Sequence, residues 1–280
     1  MEKTIRRLRR LTGLIVITAV AFAEYAVTIA GRRGPDRVRR QSRWIQRQAG
    51  RFARVLGLRM QIWFQRHSAP LLVCNHVSYL DIIVLAAARP VRFVAKSEVR
   101  TWPWFGWLAQ CAGTLFIKRE HRRLLPDSNR QLADLARQVG SLVMFPEGTS
   151  SDGQTVLPFR SSLLAGAAAE NLSVLPVWIG YELPDGDVAQ EVCWWGAMTL
   201  VPHLWRLLGC KEIISTVRFG RPVWHWDRKV LAAQLHEAVC DLARPRPPLQ
   251  TGDPNAPRGY PANSLQSPEP GSVWVRDVAQ

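Results

Sequence analysis

Two short stretches carry the residues best suited to chemistry: Asn75-His76-Val77-Ser78-Tyr79-Leu80-Asp81, and Phe145-Pro146-Glu147-Gly148-Thr149. Each follows an apolar run that reads as a buried strand. An imidazole held at one nitrogen by a carboxylate presents its other nitrogen as a base toward a hydroxyl. A helix amino end just beyond it adds positive potential where negative charge develops. The parts suit deprotonation of a hydroxyl and bracing of an oxyanion, with no nucleophilic side chain required.

The spacing sets a condition. On one continuous helix, residues five apart are rotated by about 140°, so His76 and Asp81 meet only if His76 lies in the loop before the helix. Ser78 is then the N-cap and Asp81 the N3 residue of a capping box, which is also the purely architectural reading of Asp81. A lone His-x4-Asp is a weak signal that gains force only from company.

The elements that must hold these groups alternate along the chain. Leu71 to Cys74, Val91 to Ala95, Thr114 to Ile117, Leu142 to Phe145, Val174 to Tyr181 and Glu212 to Phe219 read as strands. Ser78 to Ala88, Ser161 to Glu170, Leu200 to Leu208 and Arg228 to Ala243 read as helices, as does Ser128 to Val139 with Ser128 as its cap and Gly140 as its C′ residue. The alternation predicts an α/β fold, a largely parallel sheet flanked by helices. In such sheets reactive groups gather at the carboxyl edge, where His76 and Glu147 both fall.

Ahead of this region the composition changes. The formal net charge is +15, and residues 1 to 66 hold sixteen of the lysines and arginines against three acids. A basic arm on a nearly neutral domain calls for a polyanionic surface, lipid or nucleic acid. Between two arginine clusters, Leu11 to Ala30 is apolar apart from Glu24, about 30 Å of helix and enough to cross a hydrocarbon core. With both flanks positive, a single span and a shallow monotopic helix are both open, whereas a cleaved signal lacks a cleavage site. Val38, Trp44, Ile45, Phe52, Val55 and Leu56 then recur at helical spacing among six arginines, a pattern for a basic helix on a membrane or for one packed on the domain by its apolar stripe. Trp102, Trp104 and Trp107 crowd around Pro103 and Gly106, which suits a headgroup-level surface or an inward-packed loop. The neighbours favour an anionic membrane surface over nucleic acid. Residues 1–60 form a membrane-docking helical segment, 61–244 the main domain, and 245–280, rich in proline, a disordered tail. Five scattered cysteines without a CxxC pair indicate neither a disulfide framework nor a metal site.

The motif around His76 and Asp81 resembles the first motif of the glycerolipid acyltransferases that acylate 1-acylglycerol-3-phosphate. Gly113-Thr114-Leu115-Phe116-Ile117-Lys118-Arg119 resembles their second motif, Phe145 to Thr149 their third and Val174-Leu175-Pro176-Val177 their fourth. The resemblance covers about residues 65 to 225. It implies that His76 is the general base and Asp81 its orienting partner, and that Arg119 and the Glu147-Gly148-Thr149 turn bind the acceptor head group. The implied donor is an acyl thioester of acyl carrier protein or coenzyme A, with no bound cofactor and no metal. The implied partners are a lysolipid acceptor and a membrane at its cytoplasmic face. Thiolate expulsion needs little acid assistance, since a thiol of pKa about 8.5 is already a good leaving group.

One position departs from the family pattern. Relatives with phosphate-bearing acceptors often have an arginine after the third-motif threonine, where this chain has Ser150. Arg160 is a candidate replacement, or simply a solvated surface charge. The Glu-Gly-Thr-Ser-Ser-Asp-Gly form also resembles acyltransferases of lyso-ornithine lipid, whose head group has no phosphate, so that acceptor stands as the alternative. A tethered binding protein without turnover conflicts with the intact His76 and Asp81, and nucleic-acid binding lacks a reading motif.

Overall fold

The computed structural model describes residues 1–63, 67–102, 105–117, 125–139, 141–244 and 273–274. Arg119, Pro103, Trp104, Gly140 and the tail apart from Val273–Trp274 lie outside the described residues.

Two long helices open the chain, α1 (Glu2–Thr28) and α2 (Gly34–Leu56), followed by β1 (Leu58–Trp63) and β2 (Leu71–Cys74). Next come α3 (Leu80–Ala88), β3 (Arg92–Lys96), α4 (Phe105–Cys111), β4 (Leu115–Ile117), α5 (Leu125–Val139) and β5 (Leu142–Met144). The second half holds α6 (Ala165–Ala169), β6 (Val174–Glu182), α7 (Val188–Glu191), α8 (Leu200–Leu207), β7 (Ile213–Phe219), α9 (Arg228–Ala243) and β8 (Val273–Trp274). The eight strands form one sheet in the order β4-β3-β5-β2-β6-β7-β1-β8. All neighbours are parallel except β6 with β7 and β1 with β8. The expected largely parallel sheet flanked by helices is the fold found.

Both faces of the sheet are buried, which explains why its strands read as continuous apolar runs. Leu72 and Cys74 of β2 face one core with Val84 and Leu85 of α3, while Leu71 and Val73 face the other with Leu132 and Ala136 of α5. β2 is fully buried along its length, between β5 and β6. Its register with β5 pairs Leu71 with Leu142 and Val73 with Met144, so the two chains leave the sheet side by side. That register brings the His76 loop and the Glu147 turn together.

The structure differs from the sequence reading at several element ends. α5 begins at Leu125, which puts Ser128 inside the helix instead of at its cap. Pro126 accounts for this, because its fixed φ suits the first helical turn. The stretch 161 to 170 opens as a 3₁₀ turn, Ser161–Leu164, before α6. β1 escaped notice because it follows the basic helix with only Gly57 between; its partner β7 is more than 150 residues away in sequence.

α1 is long and apolar enough to cross a membrane, with Ile5, Leu8, Ile15, Val16, Val20 and Val27 exposed along it. It is nevertheless fastened to the domain at both ends. Near its start, Arg6 donates to the Gly209 carbonyl and the buried Arg10 to those of Leu208 and Cys210, just past the end of α8. Near its end, Glu24, the single acid of the apolar run, accepts from Arg51 at 2.7 Å and from Gln48 at 2.6 Å, both on α2. Between these ties Gly13 lies against Val55, where a Cβ would come within 2.9 Å of the valine side chain.

Asn75 fastens β2 to β6 just before the site. Its amide donates to the Ile179 carbonyl at 2.9 Å and accepts from the Ile179 N–H at 2.8 Å. Replacing Asn75 with Ala strands both buried backbone groups, a loss of about 2 to 4 kcal/mol. Urea unfolding of the full chain in detergent should show that loss, with Asn75→Asp milder only at acidic pH, where its carboxyl can still donate.

Candidate active site

His76 lies in the loop between β2 and α3, where the five-residue spacing requires it. Its Nδ1 is 2.7 Å from Asp81 Oδ2. The same oxygen accepts from the N–H groups of Val77 at 2.8 Å and Ser78 at 3.0 Å. Oδ1 accepts from the Tyr181 hydroxyl at 2.8 Å. The capping-box expectation is corrected: α3 begins at Leu80 with Tyr79 at its N-cap, so Ser78 lies one residue before the cap and Asp81 at the second helical position, from which its carboxylate reaches back to the loop amides and holds the imidazole. Ser78 Oγ completes the turn by accepting from Leu80 N–H at 3.3 Å.

The Asp81 side chain is wholly buried, while that of His76 keeps 21% of its exposure. This difference decides their roles. A desolvated carboxylate with several donors stays in place, and with Nδ1–H given to it the imidazole leaves Nε2 as a lone-pair acceptor. The His76 ring stacks on Phe145, centroids 4.2 Å apart and planes 20° from parallel, which fixes its tilt. The Ser151 N–H donates to the His76 carbonyl at 3.0 Å and Trp194 N–H to that of Val77 at 2.8 Å, so the loop is held from both sides. Because Val77 and Ser78 spend their N–H groups on Asp81, the positive end of α3 acts first on that carboxylate.

The third motif, Phe145 to Thr149, forms a tight turn after β5. Gly148 N–H donates to the Phe145 carbonyl at 3.2 Å, and Gly148 has φ of 76°, a left-handed conformation that favours glycine. The turn presents Gly148 and Thr149 outward and Glu147 inward: Glu147 is only 2% exposed, and neither carboxyl oxygen makes a direct hydrogen bond among the described residues. Burial pushes its pKa up to about 8, against a smaller opposing pull from the backbone at His76 and Leu157. At neutral pH it is mostly a neutral acid beneath the His76 loop. The Ser150 hydroxyl donates to the Trp194 carbonyl and so serves the loop above the site. Arg160 is exposed and its N–H donates to the Pro146 carbonyl, which brings its backbone beside the turn. Arg119 lies outside the described residues.

Sequence reasoning missed three contributors. Tyr181 sits seven residues beyond the start of β6, and only the β2–β6 pairing reveals that its hydroxyl meets Asp81. Asn75 was quoted in the motif without a role. Trp194 lies between Ser150, Tyr79 and Trp102, with ring centroids 6.0 Å from Tyr79 and 6.2 Å from Trp102. None of the three carries a local signal, since each acts across the fold.

The family model described as Acyltransferase matches residues 60–180, the span that holds both motifs. A lyso-ornithine lipid O-acyltransferase from Brucella abortus is 37% identical over 67% of this chain and 76% of its own length. The chain belongs to this acyltransferase family. A 1-acyl-sn-glycerol-3-phosphate acyltransferase from Neisseria gonorrhoeae is 34% identical over 60% of this chain and 67% of its own length. Among solved structures, the acyltransferase PlsC from Thermotoga maritima aligns with a TM-score of 0.61 at 18% identity, over 88% of this chain and 98% of that one, a match in fold. The chain is thus an enzyme that transfers acyl groups, and the dyad described above lies within the matched span.

The state of Glu147 has a consequence for stability. Its folded pKa, about 8, is above the unfolded value of about 4.5, so the native state holds the proton more tightly. Stability is then fully present below pH 4.5 and falls between there and pH 8, by up to about 1.4 kcal/mol per pH unit. Glu147→Gln removes that slope. Thermal melts across pH 5 to 9 should find the variant less pH-dependent than the parent and relatively more stable at the alkaline end.

Proposed function

We propose that this enzyme moves a fatty acyl group from an acyl carrier protein or coenzyme A thioester to the free hydroxyl of a lysolipid. The first acceptor proposed is 1-acyl-sn-glycerol-3-phosphate, giving phosphatidic acid. The observation that carries the reading is a partly exposed imidazole whose Nδ1 is committed to a buried carboxylate bonded at both oxygens.

In this mechanism Nε2 takes the acceptor's proton as its oxygen attacks the thioester carbonyl. The carbonyl oxygen becomes the oxyanion of a tetrahedral intermediate, which collapses with cleavage of the C–S bond. The thiolate leaves and takes a proton from the imidazolium, so His76 ends as it began. Asp81 holds the tautomer and stabilises the imidazolium, and Tyr181 holds Asp81 from its other oxygen. The Gly148–Thr149 face of the turn and Arg119 serve the acceptor head group, with Glu147 supporting that turn from beneath.

The acceptor reaches this site from a membrane on which the protein lies as a monotopic enzyme, at the cytoplasmic face. The ties of Arg6, Arg10 and Glu24 to the domain support lying over spanning, because a span needs about 30 Å of helix freed to face hydrocarbon. On α1 Phe22 packs against the exposed Trp107, and the exposed Trp102 packs against Trp194, which meets Tyr79, three residues past His76 in the chain. This aromatic run gives an acyl chain an apolar approach.

A second acceptor, lyso-ornithine lipid, is favoured by Ser150, whose hydroxyl is tied to Trp194 where a phosphate-binding arginine is expected. Four relatives of 34–39% identity carry the name lyso-ornithine lipid O-acyltransferase.

Two measurements test these readings. In detergent with an acyl thioester, His76→Ala should lower turnover by about 10³-fold or more, and Tyr181→Phe by a smaller factor with the acidic limb of its pH–rate profile moved upward. Near-normal turnover of His76→Ala refutes the base. Supplying lysophosphatidate, glycerol 3-phosphate and lyso-ornithine lipid separately identifies the acceptor. If phosphate is bound through Arg160, then Arg160→Ala raises KM for lysophosphatidate several-fold and leaves lyso-ornithine lipid unchanged.

A further inference from the structure

Away from the dyad, a cleft of ≈ 580 Å³ opens where α2 begins, lined by Gly34, Arg37, Val38 and Gln41 of α2, Arg92 of β3 and Gln138 of α5. Among the described residues, its charged lining groups are the two arginines. Arg92 is 7% exposed, its Nε makes no hydrogen bond, and neither it nor Arg37 forms an ion pair among the described residues. Two guanidiniums sharing a partly desolvated pocket is an expensive arrangement without an anion. The cost is visible in Arg92, whose pKa is pushed down to about 10 by burial first and by Arg37 second.

Part of Arg92 has an architectural use. It donates to the Gln41 side chain, which in turn donates to the Cys111 carbonyl at the end of α4. That chain occupies one Nη and leaves Nε unbonded, while Arg37 gives one Nη2 bond to the Tyr25 hydroxyl at 3.2 Å. The 23-residue helix α2 also starts here, with no side-chain cap on its first turn and a proline among its first two positions. Its amino end adds positive potential to the two arginines.

We infer that this cleft binds the phosphate of a membrane phospholipid, gripped between Arg37 and Arg92 at the amino end of α2. Phosphate matches the ligand set because its oxygens accept from planar guanidinium forks and from helix N–H groups together. A lipid source follows from the surroundings: the cleft adjoins the α1–α2 turn, where Val27, Arg32 and Arg33 are exposed, beside the apolar face of α1. Arg92 opens β3, at the amino edge of the parallel strands, so this site lies across the sheet from His76 and is distinct from the acceptor site. The inference rests on the monotopic membrane reading, and makes one lipid a specific docking ligand of it.

The test uses the full chain in neutral-detergent micelles, following the melting temperature as phosphatidylglycerol or, separately, inorganic phosphate is added. Wild type and Arg43→Gln, an exposed arginine outside the cleft, should gain the same saturable rise with phosphatidylglycerol and none with inorganic phosphate. Arg37→Gln should need about tenfold more lipid for half the rise, the effect of one charge-assisted hydrogen bond. Arg92→Met should show no rise relative to its own lipid-free melting temperature, whichever way the relief of the buried charge and the loss of the bond to Gln41 move that baseline. A rise with inorganic phosphate as well overturns the lipid source. Equal behaviour of wild type and Arg37→Gln overturns the site, even if Arg92→Met fails to fold. Sedimentation with phosphatidylglycerol vesicles separates the two readings: wild type that sediments without an Arg37-dependent rise refutes the cleft alone, and wild type that stays in solution refutes the membrane reading beneath it.

Discussion

Everything at the candidate site hangs on one desolvated carboxylate. Asp81 is removed from water in the first turn of α3, and an isolated carboxylate there costs several kcal/mol. Four donors offset that cost: two backbone N–H groups from its own loop, the Tyr181 hydroxyl from β6 and the His76 ring. Because each charge-assisted bond contributes about 1.5 to 3 kcal/mol, losing any one leaves a buried charge short of a partner. The carboxylate thereby dictates the loop conformation, the ring tautomer and the position of β6 relative to β2.

This interdependence explains why a mostly parallel sheet is the scaffold. β2 is flanked on both sides by parallel strands, and its two neighbours bring the Glu147 turn and Tyr181 to the same edge from opposite sides. Asn75 then locks the β2–β6 side through both polar atoms of its side-chain amide, Nδ2 donating and Oδ1 accepting, one residue before the imidazole. Nothing in the dyad is adjustable without moving a central strand.

The parts legible in the sequence were those with a local signature. Continuous apolar runs identified β2, β5 and β6 because both faces of the sheet are buried, and α9 spans the expected Arg228 to Ala243, with Asp227 capping its start through the N–H groups of Lys229 and Val230. His76 and Asp81 were legible because their spacing makes sense only across a loop and a helix start. Tyr181 and Trp194 were not, since their function arises from strand pairing and loop packing between residues 40 to 100 positions apart. Glu147 shows the other limit. Its place in a motif suggests contact with ligand, while its inward rotation follows from a turn in which Gly148 alone adopts a positive φ.

The same logic of buried charge distinguishes the two ends of the amino-terminal helices. Arg10 is buried but meets carbonyl groups past the end of α8, where backbone dipoles supply the negative partner, so its burial needs nothing further. Arg92 is buried to a similar extent, yet its available partner is a side-chain amide already engaged with Cys111, and a second guanidinium faces the same cleft. Two arginines of equal burial thus stand in different electrostatic states. The fold satisfies one with its own backbone carbonyls and leaves the other short of an acceptor beside the cleft proposed above as a phosphate site, so that proposal and the fastening of α1 follow from one difference in what lies within reach of a buried guanidinium.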